Sequence, residues 1–399
     1  MNKKAGAIML SSILLLSPQL ALGEENEDSR EMAEETGSAI LMEVDTGQVL
    51  FSKDEHESLP PASMTKIMTM LLIMEDLASD DLTLDEMVTT SERAASMGGS
   101  QIFLETGEEM SVRDMLKAIA VASGNDASVA MAEHMAGSED AFVERMNGKA
   151  EELGLDDTTF YNSNGLPVDG HESSAHDLAV MSQELLKYEE ITTFTGIEED
   201  YLRQGTDDEF WLVNTNRMLK FFDGLDGLKT GFTNESKYGL AATAKRDDMR
   251  LVAVVMGAET PKKRNADIAE LLNYGFANYQ VEPMFDEGAA VTSVPVEKGT
   301  HSSVVGRLDQ KISLLLSKEM SSDNVTEHIE LETLEAPIEK GEVIGKFQVQ
   351  REGEPVAESD IIAGENVESA SWWELFKRST LRIIGIEPGT GHPSTGDET

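Results

Sequence analysis

Pro61-Ala62-Ser63-Met64-Thr65-Lys66 sets a serine and a lysine three residues apart at the head of an apolar, Met-rich run that continues to residue 77. Pro60-Pro61 stops extended chain, so residues 62–77 read as a helix with Ser63 in its first turn. At that spacing both side chains share one helix face and the lysine amine can reach the serine oxygen. A serine hydroxyl is a poor nucleophile until a base takes its proton. Lys66 can be that base only where burial or neighbouring cations disfavour its charged form. The Ser63 N–H, at the start of the helix, can donate to a developing oxyanion.

Two further signatures follow in order. Ser123-Gly124-Asn125-Asp126 falls between two helical stretches and reads as a loop facing a cleft. Ser123 could relay a proton between Lys66 and a leaving amine, and Asn125 has the donor and acceptor to hold a peptide amide. Standing alone, the triplet would read as a cap or turn. Lys229-Thr230-Gly231-Phe232-Thr233 lies on an expected strand. There Lys229 and a threonine hydroxyl, Thr230, offer a cationic, hydrogen-bonding end for a carboxylate. Lys229 is also the candidate neighbour that would discharge Lys66. Gly231 reads as a side chain removed where an extended substrate approaches the backbone, and the Phe232 N–H as a second oxyanion donor. Lys262-Lys263-Arg264 is a rare cationic cluster, with Arg264 either reinforcing carboxylate binding or an ordinary surface charge.

Between these signatures the pattern is that of one sheet made from both ends of a domain with helices inserted. Residues 38–44 and 48–51 read as two strands around Asp45-Thr46-Gly47; 112–122 and 127–135 as helices; 227–232, 238–244 and 250–256 as strands; and 265–279 as a helix. From about residue 282 the texture becomes short alternating runs, such as His328-Ile329-Glu330-Leu331-Glu332 and Lys346-Phe347-Gln348-Val349-Gln350. The expected division is thus a signal peptide at 1–23, an acidic leader at 24–37, the chemical domain at 38–281, a β-rich domain at 285–367, an amphipathic helix at 370–386 and a disordered tail at 387–399.

Composition narrows the class. With 32 Lys+Arg against 75 Asp+Glu the net charge is −43, which repels nucleic acid and suits a solvated acidic shell in a saline habitat. Lys3 and Lys4 ahead of the apolar stretch 5–22, with small residues at Ala21 and Gly23, predict export by a signal peptide cleaved near Gly23, a membrane anchor being the rival reading. The absence of cysteine excludes disulfides and thiol catalysis. Trp372, Trp373, Phe376, Ile383 and Ile384 would share one side of a helix with Lys377, Arg378 and Arg382 near the other, an interfacial pattern, the rival being a helix packed on its own protein.

Together S-x-x-K, S-x-N and K-T-G, with their flanking residues, resemble the low-molecular-weight penicillin-binding proteins that are serine-type D-alanyl-D-alanine carboxypeptidases, the peptidase S11 family. The resemblance covers about residues 38–386. It implies an α/β (α+β) transpeptidase fold of the penicillin-binding-protein/β-lactamase kind with a helical insertion, then a small all-β domain and a C-terminal amphipathic helix. It also implies Ser63 as acyl-ester nucleophile, Lys66 as general base and Ser123 with Asn125 as the second catalytic element. Lys229, Thr230, Gly231, Phe232 and Arg264 bind substrate, with Ser63 and Phe232 N–H groups as oxyanion hole. The implied reaction releases the terminal D-alanine of peptidoglycan pentapeptide stems, without cofactor or metal, outside the cytoplasm; β-lactams would acylate Ser63, and the last helix would rest on a membrane.

Glu235-Ser236-Lys237 departs from the Ala-Gly usual in that family, which leaves substrate preference open, and the chain continues past the helix where relatives commonly end. D,D-endopeptidase action, a serine β-lactamase and a non-catalytic wall-binding protein are the rival readings. A metallopeptidase is poorly supported, since His171-Glu172-Ser173-Ser174-Ala175-His176 is one residue too long for H-E-x-x-H.

Overall fold

The computed structural model describes residues 32–319 and 325–383, the side chains of 378–383 excepted. The expected signal peptide, most of the acidic leader and the 387–399 tail lie outside the described residues. Five antiparallel strands form one sheet in the order Val49–Lys53, Ser38–Glu43, Met249–Ala258, Lys237–Arg246, Leu225–Thr233. The N-terminal strands thus pair with strands two hundred residues later, and the helices lie between them in sequence. The run Leu251-Val252-Ala253-Val254-Val255-Met256 is unbroken in apolarity because both of its faces are buried. Val252, Val254 and Met256 turn toward the helical core, which includes Ile67, Leu71, Met115 and Met181. Leu251 faces the opposite side, where a Cβ at Gly275 of the helix Pro261–Asn278 would meet its side chain at 2.6 Å.

Serines start several of the inserted helices. Ser111, Ser138 and Ser174 accept hydrogen bonds from the N–H groups of Asp114, Ala141 and Asp177, fixing the starts of Val112–Lys117, Glu139–Glu152 and Ala175–Leu186. Thr260 does the same for Lys263, so the helix expected from residue 265 begins at Pro261, one turn earlier. Its signal is local, a threonine followed by proline at the first helical position.

The end of the expected leader is docked. Lys53 Nζ donates to the carbonyls of Ala33 and Thr36 at 2.8 and 2.7 Å, and Gly37 N–H pairs with Met256 O at 3.0 Å.

Strand Tyr279–Phe285 follows the last helix directly and pairs with Ile312–Ser317. Six further strands form a second sheet around Val294, Leu308, Leu314, Ile344, Phe347 and Ile361. Alternation holds over Lys346 to Gln350 within the strand Val343–Arg351 but is weak in Val325–Leu331, an edge strand whose Leu331 is exposed. Lys311 to Asp45, at 2.6 Å, ties this β-rich part to the turn between the first two strands of the catalytic sheet. The last described helix is Trp372–Ile383. Trp372 and Trp373 are 73% and 56% exposed and each stacks on Phe376, so this apolar side is not buried against the protein. No described helix is long and apolar enough to cross a membrane.

Candidate active site

Ser63 sits in a 3-10 turn, Ala62–Thr65, and the α-helix proper starts only at Lys66 and runs to Ala78. The expected single helix is therefore tightened at its head. Ala62 adopts φ 48°, a left-handed conformation that costs an alanine roughly 1–2 kcal/mol. The surroundings hold it there. A Cβ on Gly231 would lie 2.7 Å from Pro61 O and 3.2 Å from Met64 Cγ, and one on Gly165 would overlap the Ala62 carbonyl. Gly231 thus has a packing role that the sequence does not announce: its missing side chain admits the protein's own nucleophile turn onto the strand.

Lys66 is fully buried, its Nζ 3.3 Å from Ser63 Oγ, 2.7 Å from Asn125 Oδ1 and 2.5 Å from the Asn164 carbonyl. Burial first, and the Lys229 charge second, push its pKa well below the ordinary lysine value, with Asp126 opposing. Lys229, also buried, donates to Thr230 O at 3.1 Å, and burial with the nearby Arg264 lowers its pKa to about 7. Arg264, lowered to about 10 by burial, is 6% exposed, which removes the surface-charge alternative. Its guanidinium is spent chiefly on Asn265 Oδ1, at 3.0 and 2.8 Å, so it bears on the site through its charge.

Asn125 is the first residue of the helix Asn125–Ala136, not part of a loop. Its carboxamide is largely committed inside the protein, Oδ1 to Lys66 and Nδ2 to Gly98 O at 2.7 Å, leaving one amide hydrogen for a ligand. Ser123 ends a π-helical turn, Ala118–Ala122, in a left-handed conformation with φ 63°. Its buried hydroxyl has no protein partner among the described residues. Thr230 Oγ1 bonds Thr215 Oγ1 at 2.8 Å, and the Phe232 ring stacks on Tyr238 with centroids 4.2 Å apart.

Sequence reading missed Asn164, Thr215 and His171. Asn162-Ser163-Asn164-Gly165 has the residue types of a turn, but nothing local says that a backbone carbonyl there meets Lys66. His171 accepts from Tyr161 N–H through Nδ1 at 3.1 Å, so its Nε2 carries the hydrogen and donates to Thr65 Oγ1 at 2.8 Å. Burial lowers it to about 4, keeping it neutral beside the nucleophile turn. Both nitrogens are occupied, so it is not available as a metal ligand, and no group able to hold a metal occurs among the described residues. Among those residues no carboxylate hydrogen-bonds Ser63 or Lys66. A cavity of about 240 Å³ opens beside the turn, lined in part by Ala62, Leu166, Thr233 and Glu235.

A buried lysine against a serine, with a second buried lysine on the neighbouring strand, is the arrangement the S11 resemblance requires. Residues 25–260 match the peptidase S11 family, described as D-alanyl-D-alanine carboxypeptidase, and residues 279–369 match the C-terminal domain of penicillin-binding protein 5. The chain belongs to the D-alanyl-D-alanine carboxypeptidase family. Among its relatives, D-alanyl-D-alanine carboxypeptidase DacF of Bacillus subtilis is 49% identical over 380 residues, covering 94% of this chain and 98% of that protein. The crystal structure of penicillin binding protein 5 from Haemophilus influenzae superposes with a TM-score of 0.68 at 30% identity, covering 84% of this chain and 98% of that one. Penicillin-binding protein D2 from Listeria monocytogenes in its ampicillin-bound form gives 0.55 at 31% identity over 62% of this chain and 99% of that chain. The fold is thus that of the carboxypeptidase family, mixed helix and sheet followed by an all-β domain.

Proposed function

We infer that this member of the carboxypeptidase family is a serine D-alanyl-D-alanine carboxypeptidase that acts on peptidoglycan stem peptides and is acylated by β-lactams. The observation that carries the reading is Lys66 Nζ, held 3.3 Å from Ser63 Oγ in surroundings that disfavour its proton. The neutral amine takes the hydroxyl proton as Ser63 Oγ attacks the carbonyl of the penultimate D-alanine. The N–H groups of Ser63 and Phe232 receive the oxyanion. Collapse breaks the peptide bond, and the departing D-alanine nitrogen takes the proton through Ser123. Water then hydrolyses the ester and regenerates Ser63.

Leu225–Thr233 ends the order of the sheet, so a substrate can add to it as a further strand. Lys229 and Thr230 then face the terminal carboxylate, with Arg264 adding charge. The peptidyl side runs the other way, past Thr233 into the cavity beside Glu235. Export by the N-terminal 23 residues and residence at the outer face of a membrane complete the proposal; the exposed Trp372 and Trp373 support the second.

Incubation of the mature protein and Ser63→Ala with a labelled penicillin in high salt, read by intact mass, tests the reading. A stable adduct on the wild type alone, with D-alanine release from a pentapeptide, is expected. Rapid turnover without adduct would indicate a β-lactamase, and neither would indicate a silent fold.

A further inference from the structure

Glu139, the first residue of the helix Glu139–Glu152, is 4% exposed. Its Oε1 accepts from both the N–H and the hydroxyl of Ser163, at 3.2 and 3.0 Å, while Oε2 takes the Arg93 guanidinium. Ser163 is fully buried, and its carbonyl accepts from Thr69 Oγ1 at 2.6 Å, on the helix that Lys66 begins. Its N–H, hydroxyl and carbonyl are therefore all fixed, from two helices. The carbonyl of the next residue, Asn164, is the one that receives Lys66 Nζ.

A neutral lysine amine has two hydrogens and one lone pair. Asn164 O and Asn125 Oδ1 take the hydrogens, which leaves the lone pair for Ser63 Oγ. The place of the Asn164 carbonyl thus sets the direction in which Lys66 acts as a base. The Arg93 side chain is 58% exposed, so its ion pair with Glu139 adds little to stability by itself. Charge-assisted bonds do fix geometry.

We propose that Glu139, anchored by Arg93, is a positioning residue for acylation: through Ser163 it holds the Asn164 carbonyl where it aims the Lys66 lone pair at Ser63. The inference rests on the acyl-enzyme reading above. Its test is the acylation of wild type, Glu139→Ala, Glu139→Gln and Ser163→Ala by a chromogenic cephalosporin, separated into binding constant and limiting rate across pH, with thermal unfolding of each variant alongside.

For Glu139→Ala the limiting rate should fall about ten- to a hundredfold, the scale of a catalytic group misplaced by about 1 Å. The binding constant should stay within about twofold, and the ascending limb of the pH profile should move. Glu139→Gln, which keeps an acceptor for Ser163, should recover most of the rate. Where Glu139→Ala does not fold, Ser163→Ala, which deletes one of the two bonds, carries the expectation as a few-fold loss of rate alone. A wild type that forms no adduct overturns the acyl-enzyme reading and this inference with it. A wild type that acylates while Glu139→Ala matches its rate, loses only affinity, or is not rescued by Glu139→Gln overturns this inference alone.

Discussion

Lys229 lies buried close enough to Lys66 for its charge to be the second cause, after burial, of the depressed Lys66 pKa. Two cations share one site because they need opposite protonation states. Lys66 must be neutral to accept the Ser63 proton, and its neutral fraction grows as pH rises through its pKa. Lys229 must be charged to hold a carboxylate, and its charged fraction falls as pH rises through about 7. The pH profile of kcat/KM should therefore be a bell, with Lys66 on the ascending limb and Lys229 on the descending one. Lys229→Met should cost about a hundredfold or more in kcat/KM. It should also move the ascending limb to higher pH, since a repulsion on protonated Lys66 is gone. An ascending limb that stays in place would remove Lys229 as a cause.

Arg264 is the second cause, again after burial, of the lowered Lys229 pKa. Arg264→Gln removes that repulsion, so protonated Lys229 should persist to higher pH and the descending limb should shift upward. KM for a stem peptide should rise as well, because a positive charge near the carboxylate is lost. A raised KM with a fixed limb would leave Arg264 a role in substrate binding only.

Asn125 discriminates between a base and a charged lysine. Asn125→Asp places a carboxylate where Oδ1 now meets Lys66 at 2.7 Å, and an opposite charge at that range favours the ammonium by about 1–3 pKa units. The carboxylate would also meet the Gly98 carbonyl without a hydrogen to offer it. Acylation at neutral pH should fall at least about tenfold and recover as pH is raised; a pH-independent loss would mean that Asn125 acts on the substrate alone.

Ser63, Lys66 and Lys229 were legible because helix spacing and signature order are local properties of the chain. Asn164 was not, since its carbonyl reaches Lys66 across 98 residues of sequence and a carbonyl has no residue type to read. The packing role of Gly231 was hidden for a related reason. Its spare volume is filled by Pro61 and Met64, which come from the other side of the fold. Arg264 stayed open between a carboxylate-binding role and a surface charge, and only the packing of its helix on the sheet buries it. A sheet made from both ends of the domain followed from the order of extended and helical runs, whereas its antiparallel strand order came only with the structure.

Gly165 offers a packing test with its own control. It has φ +84°, and a Cβ there would run into the Ala62 carbonyl and lie near Thr65 Oγ1. Gly137 has φ +81° with nothing within 4 Å of its added Cβ. Gly137→Ala should cost only the left-handed backbone penalty, about 1–2 kcal/mol. Gly165→Ala should cost more than about 4 kcal/mol or prevent folding, because backbone must move on both sides. Any folded fraction should acylate slowly, as the displaced carbonyl belongs to the residue before Ser63. Equal melting temperatures for the two variants would show that the loop yields without disturbing the turn.

The C-terminal helix can be tested against the charge of its own protein. The chain's −43 repels an anionic bilayer, whereas Trp372 and Trp373 offer exposed apolar surface worth roughly 1.5–3 kcal/mol per side chain on full burial. Added salt screens the long-range repulsion within a Debye length of about 8 Å at physiological strength and leaves apolar burial intact. Full-length protein should therefore bind anionic vesicles more tightly as salt rises, the reverse of a protein held by basic residues alone. A chain ending at Glu368 should stay in the supernatant at every salt concentration while releasing D-alanine at the same rate. Equal recovery of the two forms on vesicles would remove the helix as an anchor, and binding that weakens with salt would transfer the attraction to Lys377 and the basic residues after it.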